Sequence, residues 1–434
     1  MARPAPYLVE EILEEIFLRL PTPAALARAS TACASFRRII TARSFLCRFR
    51  ELHPPPLLGF AADNGGFNPV QEPHPSAPLA RALADAADFS YSYVPKPDAG
   101  VFTPWSPCDV RDGRVLLARD RRFRRTGLTI YKRKVLAVCD PLSRRYVLLP
   151  PLREDMTLQQ EQLSGFDSIL APIGDDEDET SFRVICWANY ESKLVMFVFS
   201  SATGKWCVPA SPCWSSFGTV RTSQNLLFCF NYFRGNLYWT APWENKLIVL
   251  DTCRMEFSTV NILTSDHMQL INLSNQSRCI PSVVVATEGA LDMFTLARHC
   301  SGYYHLYHTT QQTTLNEVSS SCSPLGAMAG SNPRRTSCCR VISNKCELKH
   351  FMVLPRGCCY YIVGVTERFL FLRGLRETLV NGFLQGWDGE DLFLLDAKTY
   401  ELKKVHGGTE ISFNTARPVH PYFGFPPSLS KPSL

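Results

Sequence analysis

Residues 134–150 read KVLAVCDPLSRRYVLLP: an apolar run, a short polar turn, and a second apolar run that ends at a proline. Short runs rich in Val and Leu that are separated by turn residues are typical of β-strands. The segment therefore predicts two neighbouring strands joined by a tight turn. A chain that repeats such a unit builds several small sheets.

The same pattern returns three times along the chain. It reads LVMFVFSSATGKW at residues 194–206, KLIVLDTCRMEF at residues 246–257 and DLFLLDAKTYEL at residues 391–402. Ser201, Asp251 and Asp396 occupy the turns of these copies, where a short polar side chain can hydrogen-bond the local backbone. We expect a tight hairpin at each copy.

The early copies recur at the spacing of propeller blades, about 50 to 60 residues. Helical periodicity largely disappears after Gly100, and short apolar runs dominate the rest of the chain. We therefore expect a large all-β domain, a β-propeller of about six blades between residues 99 and 427. An irregular β-sandwich, or two smaller β-domains, are the alternatives.

The first fifty residues follow a helical pattern instead. Apolar residues recur there at helical spacing between charged ones: Ile12, Leu13, Ile16, Phe17 and Leu20. Pro21 ends this helix, and Thr22 as N-cap with Pro23 at the first helical position begins the next. The pattern predicts a small helical docking unit, although a helical hairpin packed on its own domain would give the same stripe.

This segment resembles the F-box, the motif by which substrate receptors dock onto the Skp-type adaptor of a cullin ubiquitin ligase. The resemblance is carried by LVEEILEEIFLRLP at residues 8–21, followed by Leu26, Ala29, Cys33, Phe36, Arg37, Arg38 and Ile39. It implies a small all-α domain at residues 1–50 that binds the adaptor. The residues assigned to adaptor binding are Leu8, Ile12, Leu13, Ile16, Phe17, Leu20, Pro21, Leu26 and Phe36.

Two positions depart from the F-box pattern. Val9 stands where a proline usually follows the leading leucine, and Phe36 stands where a tryptophan is common. Phe36 keeps the bulk, whereas Val9 removes a preset turn at the start of the adaptor-binding surface. The alternative function is therefore a β-propeller interaction scaffold with a degenerate F-box that acts outside a ligase.

The β region resembles a second part of the same family. The run Gly235-Asn236-Leu237-Tyr238-Trp239, followed by residues 247–251, is similar to a signature of plant F-box-associated β-propellers. The resemblance implies a client-binding propeller at residues 99–434. Residues 51–98, which are rich in proline, are expected to form a semi-rigid connection between the two domains.

Composition is that of a globular protein within the cell. The 434 residues are 45% hydrophobic and 20% charged, and the net charge of +6 is too modest to imply a nucleic-acid partner. The cysteine count of 17 is odd, and the chain starts with an acidic helix rather than an apolar signal segment. We expect reduced thiols, a cytoplasmic or nuclear location, and no membrane partner.

No catalytic motif of the common hydrolases, kinases or dinucleotide enzymes occurs, so we expect no enzyme activity and no cofactor. The nearest metal-ligand group is His299, Cys300, His305 and His308. An offset of three residues places His305 and His308 on opposite faces of a strand, so we expect no metal there.

The densest basic segment surrounds Arg121, Arg122, Arg124 and Arg125. These residues are candidates for binding acidic or phosphorylated segments of a protein client. A solvated loop between two strands of the first blade is the simpler alternative. Taken together, the resemblance implies the substrate-recognition subunit of a Skp-cullin-F-box ubiquitin ligase, with an unknown client.

Overall fold

In the computed structural model, the described residues form a short helical segment at the start and mainly β-strands after it. The described residues are 8–21, 23–62, 65–95, 104–125, 128–152, 163–171, 181–217, 228–233, 235–241, 246–261, 283–287, 290–298, 302–312, 316–317, 346–366, 368–380, 383–408 and 419–424. Within them, no helix is both long and apolar enough to cross a bilayer.

Four helices precede the first strand: α1 Glu10–Leu18, α2 Pro23–Ala32, α3 Ala34–Ile40 and α4 Arg43–Leu52. The predicted break at Pro21 and restart at Pro23 are confirmed, while Thr22 lies outside the described residues. The backbone N–H of Phe36 contacts the Sγ of Cys33 at 3.5 Å, which caps α3.

The helices share one apolar core. Its buried members are Phe17, Leu18, Leu26, Ile39, Ile40, Phe45 and Phe49. This cluster contains residues of α1 to α4 only, so these helices form a packed unit with its own core.

The strands of the described residues form six sheets, and every pairing is antiparallel. Sheet 1 contains β3 Ser106–Arg111, β4 Arg114–Arg125, β5 Leu128–Asp140 and β6 Arg145–Leu148. Sheet 2 contains β7 Leu163–Ala171, β8 Arg183–Tyr190, β9 Leu194–Ser200 and β10 Lys205–Cys207. In both sheets the strands lie side by side in chain order.

Sheets 3 to 5 follow the same plan. Sheet 3 contains β11 Phe228–Phe233, β12 Asn236–Ala241, β13 Lys246–Asp251, β14 Glu256–Asn261 and the short β18 Asn316–Glu317. Sheet 4 contains β15 Val283–Thr287, β16 Ala290–Arg298, β17 Tyr304–Gln312 and β19 Cys346–Val353. Sheet 5 contains β20 Cys358–Val365, β21 Phe369–Val380, β22 Phe383–Asp396 and β23 Leu402–Gly408.

Sheet 6 joins the two ends of the β region. It contains β1 Leu57–Ala61, β2 Phe67–Pro69 and β24 His420–Phe423, in the order β2-β1-β24. Residues 57–61 and 67–69 therefore belong to a sheet, whereas the sequence predicted a connection over residues 51–98. The difference arises because the prolines flank β1 and end β2, where they remove no ladder hydrogen bond. Helix α5, Ala77–Ala86, also lies in this range and packs on β1 and β2.

The four sequence copies form the hairpins β5–β6, β9–β10, β13–β14 and β22–β23 of sheets 1, 2, 3 and 5, which confirms the predicted hairpins. Asp251 Oδ1 accepts hydrogen bonds from the N–H groups of Cys253 and Arg254, at 2.8 and 3.0 Å. Asp396 makes the same turn, and so does Asp140 in the first copy. Ser201 differs, because its Oγ accepts from the N–H of Phe182 on the neighbouring segment, at 2.7 Å.

Apolar side chains fill the space between consecutive sheets. Leu116 and Val184 are fully buried between sheets 1 and 2, and the rings of Trp187 and Trp239 meet at 5.3 Å between sheets 2 and 3. One further cluster joins sheets 3, 4 and 5, and another joins sheets 5, 6 and 1. Every sheet is thus packed against the sheet before it and the sheet after it, including sheet 6 against sheet 1.

Candidate protein-docking site

The surface of α1 carries a line of exposed apolar side chains. Leu8, Ile12 and Ile16 are 43%, 48% and 45% exposed, and Val9 beside them is half exposed. A spacing of four residues places Ile12 and Ile16 on one face of α1, one above the other, while Leu8 and the extended N-cap residue Val9 lie just before its first residue. A contiguous apolar patch on a surface is a feature of interaction sites. The four residues Leu8, Val9, Ile12 and Ile16 are called the α1 strip below.

The remaining apolar residues assigned to adaptor binding face inward. Phe17 and Leu26 are buried, and Leu13, Leu20 and Phe36 are partly buried against the same helical core. The rings of Phe17 and Phe36 meet edge to face, with their centroids 5.0 Å apart. These five residues hold the helices together. Of the residues assigned to adaptor binding, the exposed ones are Pro21 and those that belong to the α1 strip.

Ion pairs fix α1 on the helices behind it. Arg48 of α4 donates to Glu14 and Glu15 of α1, with both nitrogen–oxygen distances at 2.7 Å. The hydrogen bond to Glu15 is the main cause that raises the pKa of Arg48 above its ordinary value. Arg38 of α3 pairs with Glu10 at the start of α1. The pairs are solvent-exposed and add little stability, but they orient α1.

The end of α4 is also tied to α1. The Nε2 of His53 lies 2.8 Å from the backbone oxygen of Leu18, at the carboxyl end of α1, where carbonyls lack helical partners. The His53 ring packs at 4.4 Å from that of Phe49 in the helical core. The α1 strip therefore sits on a helix that is held at both ends.

The predicted basic segment is a strand rather than the loop that the simpler alternative expected. Its backbone belongs to the far part of β4, which pairs with β5 beyond the point where β3 and β6 stop pairing. Opposite the arginines in the register lie Lys132, Tyr131, Thr129 and Leu128. The side chains of Arg121, Arg122, Arg124 and Arg125 lie outside the described residues, so their role in client binding stays a prediction.

The histidines of β17 point to opposite faces, as predicted. His305 contacts Tyr307 and Phe351, whereas His308 lies between Asp292 and Tyr400. His299 and Cys300 lie outside the described residues. Elsewhere in the described ranges, no three His, Cys, Asp or Glu side chains converge in a way that could hold a metal ion.

A polar cluster between sheets 4 and 5 was not predicted from the sequence. His308 Nδ1 lies 2.7 Å from the Tyr400 hydroxyl, and His308 Nε2 lies 3.2 Å from Asp292 Oδ1. The Thr310 hydroxyl donates to the same carboxylate oxygen at 2.7 Å. Burial would raise the pKa of Asp292, but the hydrogen bonds from His308 and Thr310 outweigh it and lower the pKa. The contact between His308 and Tyr400 links the two sheets, and the partly buried Asp292 carboxylate holds the other nitrogen of His308.

No protein-family model and no curated protein sequence matches the chain. Among solved structures, the WD40 domain of SCAP from fission yeast is 7% identical, with 70% of this chain and 72% of that chain covered and a TM-score of 0.28. A glycoside hydrolase is 9% identical, with 74% and 64% covered and a TM-score of 0.30. A prolyl endopeptidase is 9% identical, with 93% and 55% covered and a TM-score of 0.29. Likenesses this weak carry no conclusion about fold or function.

Proposed function

We propose that this chain is the substrate-recognition subunit of a Skp-cullin-F-box ubiquitin ligase. Helices α1 to α4 act as the F-box and bind the Skp-type adaptor, and through it a cullin, while the β region binds a protein client. The observation that carries the proposal is the α1 strip, because Leu8 before α1 and Ile12 and Ile16 on α1 are exposed on a helical unit that already has its own core.

The proposed mechanism is proximity. A receptor that holds a client beside a ubiquitin-charged enzyme raises the effective concentration of the acceptor lysine. Under this proposal the chain performs no chemistry and needs no cofactor. It acts in the cytoplasm, the nucleus or both, without a nucleic-acid or membrane partner.

We also infer that the six sheets close into a six-bladed β-propeller. The cyclic packing of the sheets supports this inference, since sheet 6 shares a core with both sheet 5 and sheet 1. Sheet 6 would then act as the closing blade, built from strands near both ends of the chain.

The test is co-purification with a plant Skp-type adaptor. We expect Ile12→Asp and Ile16→Asp each to weaken adaptor binding by at least about a hundredfold, because a charge would be buried unpaired in the contact. Leu79→Asp is the matched control, since Leu79 is an equally exposed apolar residue on α5.

The outcomes separate the two candidate functions. Adaptor binding that is lost in both α1 variants and kept in the control supports the receptor. A folded wild-type chain that does not bind the adaptor would favour the interaction scaffold with a degenerate F-box. Binding that survives both substitutions would remove the α1 strip from the contact.

A further inference from the structure

The outer strand of sheet 1 exposes both of its faces. In β6 all four residues are exposed, and Tyr146, Val147 and Leu148 are 42%, 38% and 38% exposed although they are consecutive and apolar. Consecutive residues of a strand point to opposite faces. The apolar side chains of β6 are therefore exposed to solvent on both faces of sheet 1.

The described residues include no strand that pairs with the outer side of β6. The N–H of Leu149 donates to the carbonyl of Leu136 at 3.0 Å, and Val147 lies opposite Val138 in the same ladder. Hydrogen-bonded pairs alternate along an antiparallel ladder, so Val147 also faces β5. The N–H and C=O groups of the residues between them, Tyr146 and Leu148, consequently point away from the sheet.

The other outer strands of the larger sheets are covered or carry exposed charges. β14 is covered by β18 in sheet 3, and β10 carries the exposed Lys205. β23 carries the exposed Lys403 and Lys404. β19 has exposed apolar residues too, but the exposed charges Glu347 and Lys349 lie among them. Charges and covering strands are how proteins protect an edge, and β6 has neither along its apolar residues.

The surroundings of β6 are basic. Arg144 and Arg145 at its start are both exposed, and Arg145 forms no ion pair with any residue of the described ranges. By sequence, β4 and β5 of the same sheet carry many further Arg and Lys residues and few acids. A partner strand beside β6 therefore meets the positive charge of Arg145 at one end and apolar side chains along the rest, which favours an acidic and partly apolar segment.

We propose that β6 binds an extended acidic segment of a partner protein, which joins sheet 1 as an added strand. The backbone groups of Tyr146 and Leu148 supply the main-chain hydrogen bonds, the exposed apolar side chains supply contact area, and Arg145 pairs with a carboxylate. This site is separate from the α1 strip. It would serve the proposed receptor as its client site, and the proposal for β6 does not depend on adaptor binding.

The test uses the full chain and a fluorescein-labelled peptide in which Glu and Val alternate, followed by fluorescence anisotropy. We expect Arg145→Glu and Leu148→Pro each to weaken binding by about tenfold or more, the first by charge and the second by removing an outward N–H. Lys403→Glu on the edge strand β23 makes the same charge change elsewhere, and it should leave the affinity unchanged.

Two further probes need no change to the protein. The same peptide with Lys in place of Glu should not bind, and a peptide that is N-methylated at alternate residues should lose its affinity because it cannot complete the ladder. Equal binding of the N-methylated peptide would overturn the proposal, since side-chain charge alone would then explain the affinity.

The alternative partner for the β6 edge is β6 of a second copy of this chain. Sedimentation of the wild-type chain and of Leu148→Pro distinguishes the two cases. A wild-type dimer that Leu148→Pro abolishes would show that β6 pairs with itself and would overturn the acidic-segment proposal. A monomer at all concentrations, together with peptide binding, supports it.

Discussion

The guanidinium of Arg111 lies 4.0 Å from the centre of the Tyr232 ring, and these two residues belong to sheets that are not neighbours in chain order. Arg111 is on β3 of sheet 1, and Tyr232 is on β11 of sheet 3. Between them, the Nε of Arg111 donates to the carbonyl of Leu170 on β7 at 2.9 Å. Asp109 accepts from the N–H of the same Leu170 at 2.8 Å. Two side chains of β3 thus satisfy both backbone groups of one residue in sheet 2.

We expect Arg111→Met to lower the free energy of unfolding by about 1 to 3 kcal/mol, because it removes the cation–π contact and the hydrogen bond to Leu170. Methionine keeps the length of the side chain. Urea unfolding followed by tryptophan fluorescence measures the change. Arg145→Met is the matched control, and an equal loss in both variants would show that the contact to Tyr232 is not a source of stability.

The Asp251 turn is expected to stabilise sheet 3. Asp251→Ala removes an acceptor of two backbone N–H groups, so we expect a loss of about 1 to 2 kcal/mol in the free energy of unfolding. Asp251→Asn keeps one side-chain acceptor and should lose less. Urea unfolding of the two variants ranks them, and the reverse ranking would contradict the role assigned to the turn.

Sheet 6 gives the third prediction. Tyr422 of β24 is buried, its ring packs against Phe67 and Phe89, and its hydroxyl donates to the carbonyl of Gly113 at 3.3 Å. We expect Tyr422→Ala to cost about 3 to 5 kcal/mol, and Tyr422→Phe only about 1 kcal/mol. Thermal unfolding measures both. The exposed Phe351→Ala is the control, and a Tyr422→Ala variant as stable as the control would show that β24 does not hold the sheet.

Local patterns were predicted from the sequence because they depend on residues that are near in the chain. The hairpins at Asp251 and Asp396 follow from a turn residue between two apolar runs, and the helix break at Pro21 follows from the missing N–H of proline. For the same reason, the sequence predicted a hydrogen bond from the Ser201 side chain to the local backbone. Its actual partner, Phe182, lies on another strand connection, and no local rule gives that pairing.

The remaining features depend on pairs that are far apart in sequence. β1 pairs with β24 across almost the whole β region, so the sequence suggested only a connection at residues 51–98. On α1, Ile16 and Phe17 are equivalent as apolar residues at helical spacing. Only the positions of α3 and α4 expose the first and bury the second.

The last prediction concerns the pH dependence of the cluster at Asp292. Its pKa in the folded chain lies below the ordinary value of 3.8, so the unfolded state binds its proton at a higher pH than the folded state. The contribution of Asp292 to stability is therefore present above pH 3.8 and is lost as the pH falls through the folded pKa.

We expect Asp292→Asn to be less stable than the wild type at neutral pH, because the charged acceptor of the His308 and Thr310 hydrogen bonds is lost. The difference should shrink as the pH falls from 3.8 through the lower pKa of the folded state, since the wild-type carboxyl becomes neutral over that range as well. Urea unfolding across an acid pH series measures it, with Asp85→Asn on the exposed face of α5 as the baseline. A difference that stays constant over the series would show that the charge of Asp292 does not stabilise the link between sheets 4 and 5.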